Sequence, residues 1–169
     1  PRWKMREKLT VLVVEPNESV RKFIALKAAA AVQSVAEADS LTSALECLAR
    51  GVDVVFTSVF LPDGSGEKVL SEARKRSPAT VVVAVTDEDD VSRAMDLVRQ
   101  GAFMVLTKPV SSTRMKETLD RALEQRRMLE QNLAARRLEE RYAAELESRA
   151  QDQTGYIRSL LDFSNRLND

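Results

Sequence analysis

The stretch Val54-Val55-Phe56-Thr57-Ser58-Val59-Phe60-Leu61-Pro62-Asp63-Gly64-Ser65-Gly66 decides how this chain is read. Its first half is an apolar run that ends on hydroxyl side chains, and its second half is a loop built on Pro62, Gly64 and Gly66. Such a run suits a strand buried on both faces, as in a parallel sheet. The loop after it falls where open α/β sheets hold their functional groups. The strand ends on Ser58, a residue with neither a charge nor much nucleophilicity of its own, and that choice raises the question of function.

Working outward, five short β-branched runs alternate with helical patterns. The runs are Leu9 to Val14, Val32 to Ala36, Val52 to Thr57, Thr80 to Val85 and Phe103 to Thr107. Between them, apolar residues three and four apart predict helices over Ser19 to Ala31, Leu41 to Arg50, Glu67 to Arg76 and Val91 to Gln100. Asn17, Ser40 and Asp90 stand where N-caps belong, and Gly51 and Gly101 where helices should stop. Right-handed crossovers between parallel strands place helices on both faces, so the fold class is α/β, a doubly wound five-stranded parallel sheet of flavodoxin-like form. The crevice beyond the strand C-termini then gathers Glu15-Pro16-Asn17, Ser58, Thr86-Asp87 and Lys108-Pro109.

Composition narrows the chemistry. Among 169 residues there is no histidine, which excludes a histidine-based triad or zinc site and leaves only carboxylates, lysine or serine for catalysis. Lys+Arg and Asp+Glu both number 26, so no bulk field draws the chain to nucleic acid or to an anionic membrane. The single cysteine, Cys47, lies at helical spacing with Leu41, Ala44, Leu45 and Leu48 and reads as a small core residue in a reducing compartment. Without a long apolar run or a signal-peptide pattern, the expected location is cytoplasmic. Because it begins at Pro1 without a methionine, the chain reads as a trimmed fragment.

After Ser111 the pattern changes. Residues 113–153 contain neither Gly nor Pro and are rich in Leu, Ala, Glu, Arg and Gln, which predicts one long helix. A seven-residue column runs Met115, Ala122, Leu129, Arg136, Ala143, Ala150, Ile157; its partner runs Leu119, Arg126, Leu133, Glu140, then shifts to Leu146, Gln153, Leu160, Leu167. The two registers predict a dimeric coiled coil with a discontinuity between 136 and 146, where a second packing could be populated. Its seam comprises Met115, Leu119, Ala122, Leu129, Leu133, Ala143, Leu146, Ala150, Ile157 and Leu160. Thr154-Gly155 is expected to interrupt or kink the helix, and Tyr156 onward to start another amphipathic segment.

These landmarks resemble the bacterial response-regulator receiver (CheY-like) family over roughly residues 8–126. The resemblance rests on Leu12-Val13-Val14 followed by Glu15, on Leu61-Pro62-Asp63-Gly64-Ser65-Gly66, on Thr86, and on Gly101-Ala102 leading to Leu106-Thr107-Lys108-Pro109. It implies a phosphoacceptor aspartate after the third strand, an acidic pair after the first that helps it hold a divalent metal, and a hydroxyl and a lysine that contact the phosphoryl group. It also implies a cis proline after the lysine and an aromatic three residues before it. Carried over, the acidic pair falls on Glu15 and Pro16, the acceptor on Ser58, the hydroxyl on Thr86, the aromatic on Val105 and the lysine on Lys108. Two of three carboxylates are gone, and one carboxylate seldom makes a site for a cation that dehydrates reluctantly. No metal and no cofactor are therefore expected. Lys108 is expected to pair with Glu15 in place of a metal's charge, and Asp87-Glu88-Asp89-Asp90 to be a solvated cap.

The expected function follows: a non-enzymatic signal-transduction module of a two-component-type regulator. It is a naturally degenerate pseudo-receiver, independent of phosphorylation, that homodimerises through its coiled coil and binds a signalling protein. The domains are residues 8–126 (receiver), 127–153 (coiled-coil extension) and 154–169 (start of a further helix leading to a downstream domain). The alternative is a phospho-accepting receiver that uses Ser58 or Asp63 with Mg²⁺. A nucleotide-binding enzyme would need a Gly-rich loop where Glu15-Pro16-Asn17 stands.

Overall fold

The computed structural model describes residues 7–167. Strands β1 (Glu7–Val14), β2 (Val32–Ala38), β3 (Val54–Ser58), β6 (Val81–Thr86) and β7 (Met104–Thr107) form one sheet in the order β2-β1-β3-β6-β7. All four pairings are parallel. Two short strands, β4 (Phe60–Leu61) and β5 (Gly64–Ser65), make a small antiparallel hairpin directly after β3, where the sequence predicted only a loop. The helices are α1 (Glu18–Ala29), α2 (Leu41–Ala49), α3 (Gly66–Arg76), α4 (Val91–Gln100) and α5 (Ser112–Leu167), with a 3₁₀ turn over Glu88–Asp90.

Alternation along the strands divides the core between the two faces of the sheet. Leu12, Val55, Val82 and Ala84 pack against Ala44, Leu48, Leu70, Ala73, Ala94 and Leu97 of α2, α3 and α4. Val13, Phe56, Val81 and Val83 pack against Ile24 and Ala28 of α1 and Met115, Leu119, Ala122 and Leu123 of α5. Every residue of β3 and β6 is buried, which is why the sequence offers a near-continuous apolar run there, VVF and VVVAV, rather than an alternating pattern.

Local signals end the helices where the sequence places them. Asn17 Oδ1 accepts from the Val20 N–H at 3.1 Å, and Ser40 and Ser43 form a reciprocal capping box. Asp90 occupies the N-cap position of α4 without a side-chain bond; its backbone (φ −109°, ψ 14°) lies outside the extended conformation from which a cap side chain reaches the first-turn N–H groups. Gly51 (φ +90°) and Gly101 (φ +118°) take the backbone conformation that other residues avoid.

The long helix corrects two expectations. Met115, Leu119 and Ala122, expected on the dimer seam, are buried against the sheet, and Leu129 packs partly on the same cluster. They belong to the domain core because α5 uses its first turns to cover the second sheet face. Thr154 and Gly155 do not interrupt α5: Thr154 Oγ1 donates to the Ala150 carbonyl at 2.9 Å, and Ser159 Oγ to the Gly155 carbonyl at 3.0 Å. One interior glycine costs about 1 kcal/mol relative to alanine, too little to break a run of strong helix formers on both sides. The chain falls into two compact units, divided between Leu129 and Glu130. Asn168 and Asp169 of the expected terminal segment lie outside the described residues.

Candidate functional site

Crossing from β2 back past β1 to β3 reverses the direction in which the sheet grows, so the ends of β1 and β3 sit side by side at a topological switch point. Val14 is level with Thr57, and Ser58 with Val85. The Lys108 N–H donates to the Thr86 carbonyl at 2.8 Å, which brings the turn after β7 to the same mouth. Glu15, Ser58 and Thr86 are all buried there, Pro16 is exposed, and the Lys108-Pro109 peptide is cis.

Of the carried-over phosphorylation-site positions, Glu15 holds the one carboxylate, and it is occupied. Its Oε1 accepts from the Asn17 N–H at 3.0 Å, and Lys108 Nζ lies 3.0 Å from its Oε2. The ammonium is outside the angles of a directed hydrogen bond to Oε2, so the contact is an ion pair held by charge. Arg21 Nη1 donates to the Glu15 backbone carbonyl at 2.9 Å, while its Nε lies 3.4 Å from Glu37 Oε1. Thr86 Oγ1 donates to the Asp87 carbonyl at 3.2 Å. Val105 packs partly buried against the α2, α3 and α4 face of the core, and Cys47 is half-buried there too, burial raising its thiol pKa.

These residues do not fit the divalent cation that the fold family implies. A hard cation of this kind takes oxygen ligands in near-octahedral geometry and needs carboxylates to displace its water. The Pro16 side chain has no ligand atom, Ser58 offers a neutral hydroxyl, and Glu15 already faces an ammonium. Among the described residues, no three Asp, Glu or Cys side chains come together in a way that could hold a metal. Asp87, Glu88 and Asp89 are exposed on the loop after β6.

Asp63 is committed elsewhere. Its carboxylate accepts from the Leu41 N–H (2.6 Å), the Thr42 N–H (3.0 Å) and Thr42 Oγ1 (2.7 Å), tying the hairpin after β3 to the N-terminus of α2. These donors, the Thr42 hydroxyl first, hold its pKa down at about 2. Gly66 opens α3 directly against the end of β3: its N–H donates to the Val59 carbonyl at 2.9 Å, and a Cβ there would sit 2.5 Å from the Ser58 carbonyl oxygen.

Sequence reasoning missed one ionic tie. Arg126, placed in a heptad column, reaches Asp53 Oδ1 through Nε (3.2 Å) and Nη2 (2.9 Å), and Asp53 Oδ2 accepts from the Thr10 N–H at 2.8 Å. The last turns of α5 on the domain are thereby fastened to the loop entering β3. The remaining predicted seam residues lie beyond that point, Leu133 half-buried and Ala143, Leu146, Ala150, Ile157 and Leu160 exposed.

A five-stranded parallel sheet in this order, with a hydroxyl and a lysine at the mouth, defines a receiver fold. The chain belongs to the response regulator receiver domain family, whose pattern it matches over residues 11–120. It is 31% identical over 113 residues to the response regulator protein PilR of Pseudomonas aeruginosa, covering 66% of this chain and 25% of PilR. To the transcriptional regulatory protein GlrR of Escherichia coli it is 29% identical over 116 residues, covering 68% of this chain and 26% of GlrR. The chain thus spans about a quarter of the length of these curated relatives. A solved receiver domain from Clostridium thermocellum superposes with a TM-score of 0.65 at 26% identity, covering 72% of this chain and 98% of that one. Among the described residues no helix is long and apolar enough to cross a membrane.

Proposed function

We propose that this chain is a pseudo-receiver: a non-enzymatic cytoplasmic module of a bacterial two-component regulator that signals by recognition, not by phosphoryl transfer. The observation that carries the reading is the ion pair between Lys108 and Glu15 at 3.0 Å, beside a β3 that ends on Ser58. Transfer to a carboxylate needs positive charge to neutralise the moving phosphoryl group. Here the lysine's charge is already spent on Glu15, and an unactivated serine is a poor nucleophile. A signalling partner then reads the shape of the domain, with the face made by α4, β7 and α5 as its surface. Two copies pair through the part of α5 beyond Leu129, where the apolar side chains stand in solvent.

Incubating the full chain with acetyl phosphate and Mg²⁺, followed by intact mass measurement, tests this. The expected result is an unchanged mass. A stoichiometric phosphoryl adduct mapped to Ser58 or Asp63 would establish the alternative of an atypical phospho-accepting receiver. Asp63 is a weak candidate for that role, because its carboxylate oxygens are engaged by three donors at α2.

A further inference from the structure

The face of α5 that covers the sheet runs through Met115, Leu119, Ala122, Arg126 and Leu129, at steps of four, three, four and three residues. Four of these are apolar and pack on the core, while Arg126 puts a guanidinium on the same stripe with only 11% of its side chain exposed. Leu123 is the last buried apolar side chain on the helix, and Leu129 packs only in part. A leucine at position 126 would carry the apolar contact on without a break. An arginine there needs an opposite charge on the sheet side, and Asp53 supplies it through Oδ1.

Asp53 is the fixed half of this contact. Its N–H donates to the Thr10 carbonyl at 2.9 Å, its carbonyl accepts from the Val81 N–H at 3.0 Å, and its Oδ2 accepts from the Thr10 N–H at 2.8 Å. Just before it, the Val52 carbonyl takes the Thr80 hydroxyl at 2.9 Å. Moving Asp53 would disturb β1 and β6 together, whereas Arg126 can leave with its helix and that helix's own hydrogen bonds intact. The helix is therefore the half that moves.

We propose that Asp53 and Arg126 form a latch that sets how far along α5 the domain's hold extends. With the latch closed, the helix is docked as far as Leu129. With it open, docking ends at Leu123, and residues 124–129, about a turn and a half, are released. An ion pair suits this role where a leucine would not. Against a well-packed apolar replacement a buried pair offers little net stability, yet loss of one partner's charge abolishes the contact outright. The latch lies at the opposite end of β3 from Ser58, so it works independently of what the mouth binds.

Hydrogen exchange of the full chain, read by mass spectrometry with the receiver's melting followed in parallel, tests the latch with two substitutions. Asp53→Asn keeps an acceptor for the Thr10 N–H and loses the charge that faces Arg126; Arg126→Gln leaves every strand contact of Asp53 in place. Each is expected to speed exchange over residues 124–129 at least about tenfold, because a helix off the sheet is held by its own bonds alone, while the β6 amides stay within about threefold of the parent. The double variant should exchange no faster than the faster single, since one contact opens only once. Unchanged exchange over 124–129 in both singles would overturn the latch, by showing that Leu123 and Leu129 hold the helix without the pair. Equal acceleration in β6, a lost receiver melt in Arg126→Gln, or a double variant showing the product of the two single effects would overturn it as well, since each makes the two residues general supports of the fold.

Discussion

Replacing Lys108 by methionine lowers the free energy of unfolding by about 3 kcal/mol, the lower end of what is seen when one partner of a buried ion pair is removed. Glu15 is only 2% exposed, and without the ammonium its carboxylate keeps one neutral donor, the Asn17 N–H. The nearby Arg21 bonds the Glu15 backbone carbonyl, so its charge is not placed on Oε2. The figure stays at the low end because the Lys108 side chain is 18% exposed. Glu15→Gln is expected to cost only about 1 kcal/mol, since the freed lysine can turn toward water. Adding Glu15→Gln to Lys108→Met should restore most of the loss, because two neutral side chains leave no buried charge. Urea unfolding of the two singles and the double measures all three values in one cycle. A Lys108→Met variant as stable as the parent would mean that the pair is not structural.

Gly66→Ala is expected to cost about 2–3 kcal/mol, at the upper end for overpacking, since the clash is with backbone. The added Cβ would lie 2.5 Å from the Ser58 carbonyl oxygen and 3.2 Å from Leu97 Cδ2. The backbone cannot retreat easily, because the Gly66 N–H is bonded to the Val59 carbonyl and Ser58 lies in a buried central strand. Gly155 is the control. A Cβ there meets nothing within 4 Å, so Gly155→Ala should stabilise α5 by up to about 1 kcal/mol. Thermal melts of the two variants check the contrast, and a Gly66→Ala domain as stable as the parent would show that the approach of α3 to β3 relaxes freely.

Much of the domain was legible because its signals are local. Valine runs marked the strands, Asn17 and Ser40 marked helix starts, and α4 spans the predicted Val91–Gln100. Glu15 and Lys108 could be paired on paper because strand order brings the ends of β1 and β7 to one mouth. What escaped depends on residues far apart in the chain. Asp63 caps α2 from 21 and 22 positions away, and Asp53 meets Arg126 across 73. No local pattern distinguishes such side chains from solvated charges. Along α5 the seven-residue count did not include Leu138 and Tyr142, four residues apart and both exposed. The same count placed Met115, Leu119 and Ala122 on a seam, when periodicity alone cannot tell a helix face that covers a sheet from one that meets a partner.

Calorimetric titration of the full chain with magnesium chloride tests the central claim most directly. With Glu15 paired to Lys108 and no metal-holding cluster of carboxylates among the described residues, the account predicts heats of dilution only, up to about the millimolar range in which weak hard-cation sites fill. A saturable isotherm at micromolar concentration that disappears in Glu15→Gln would contradict it.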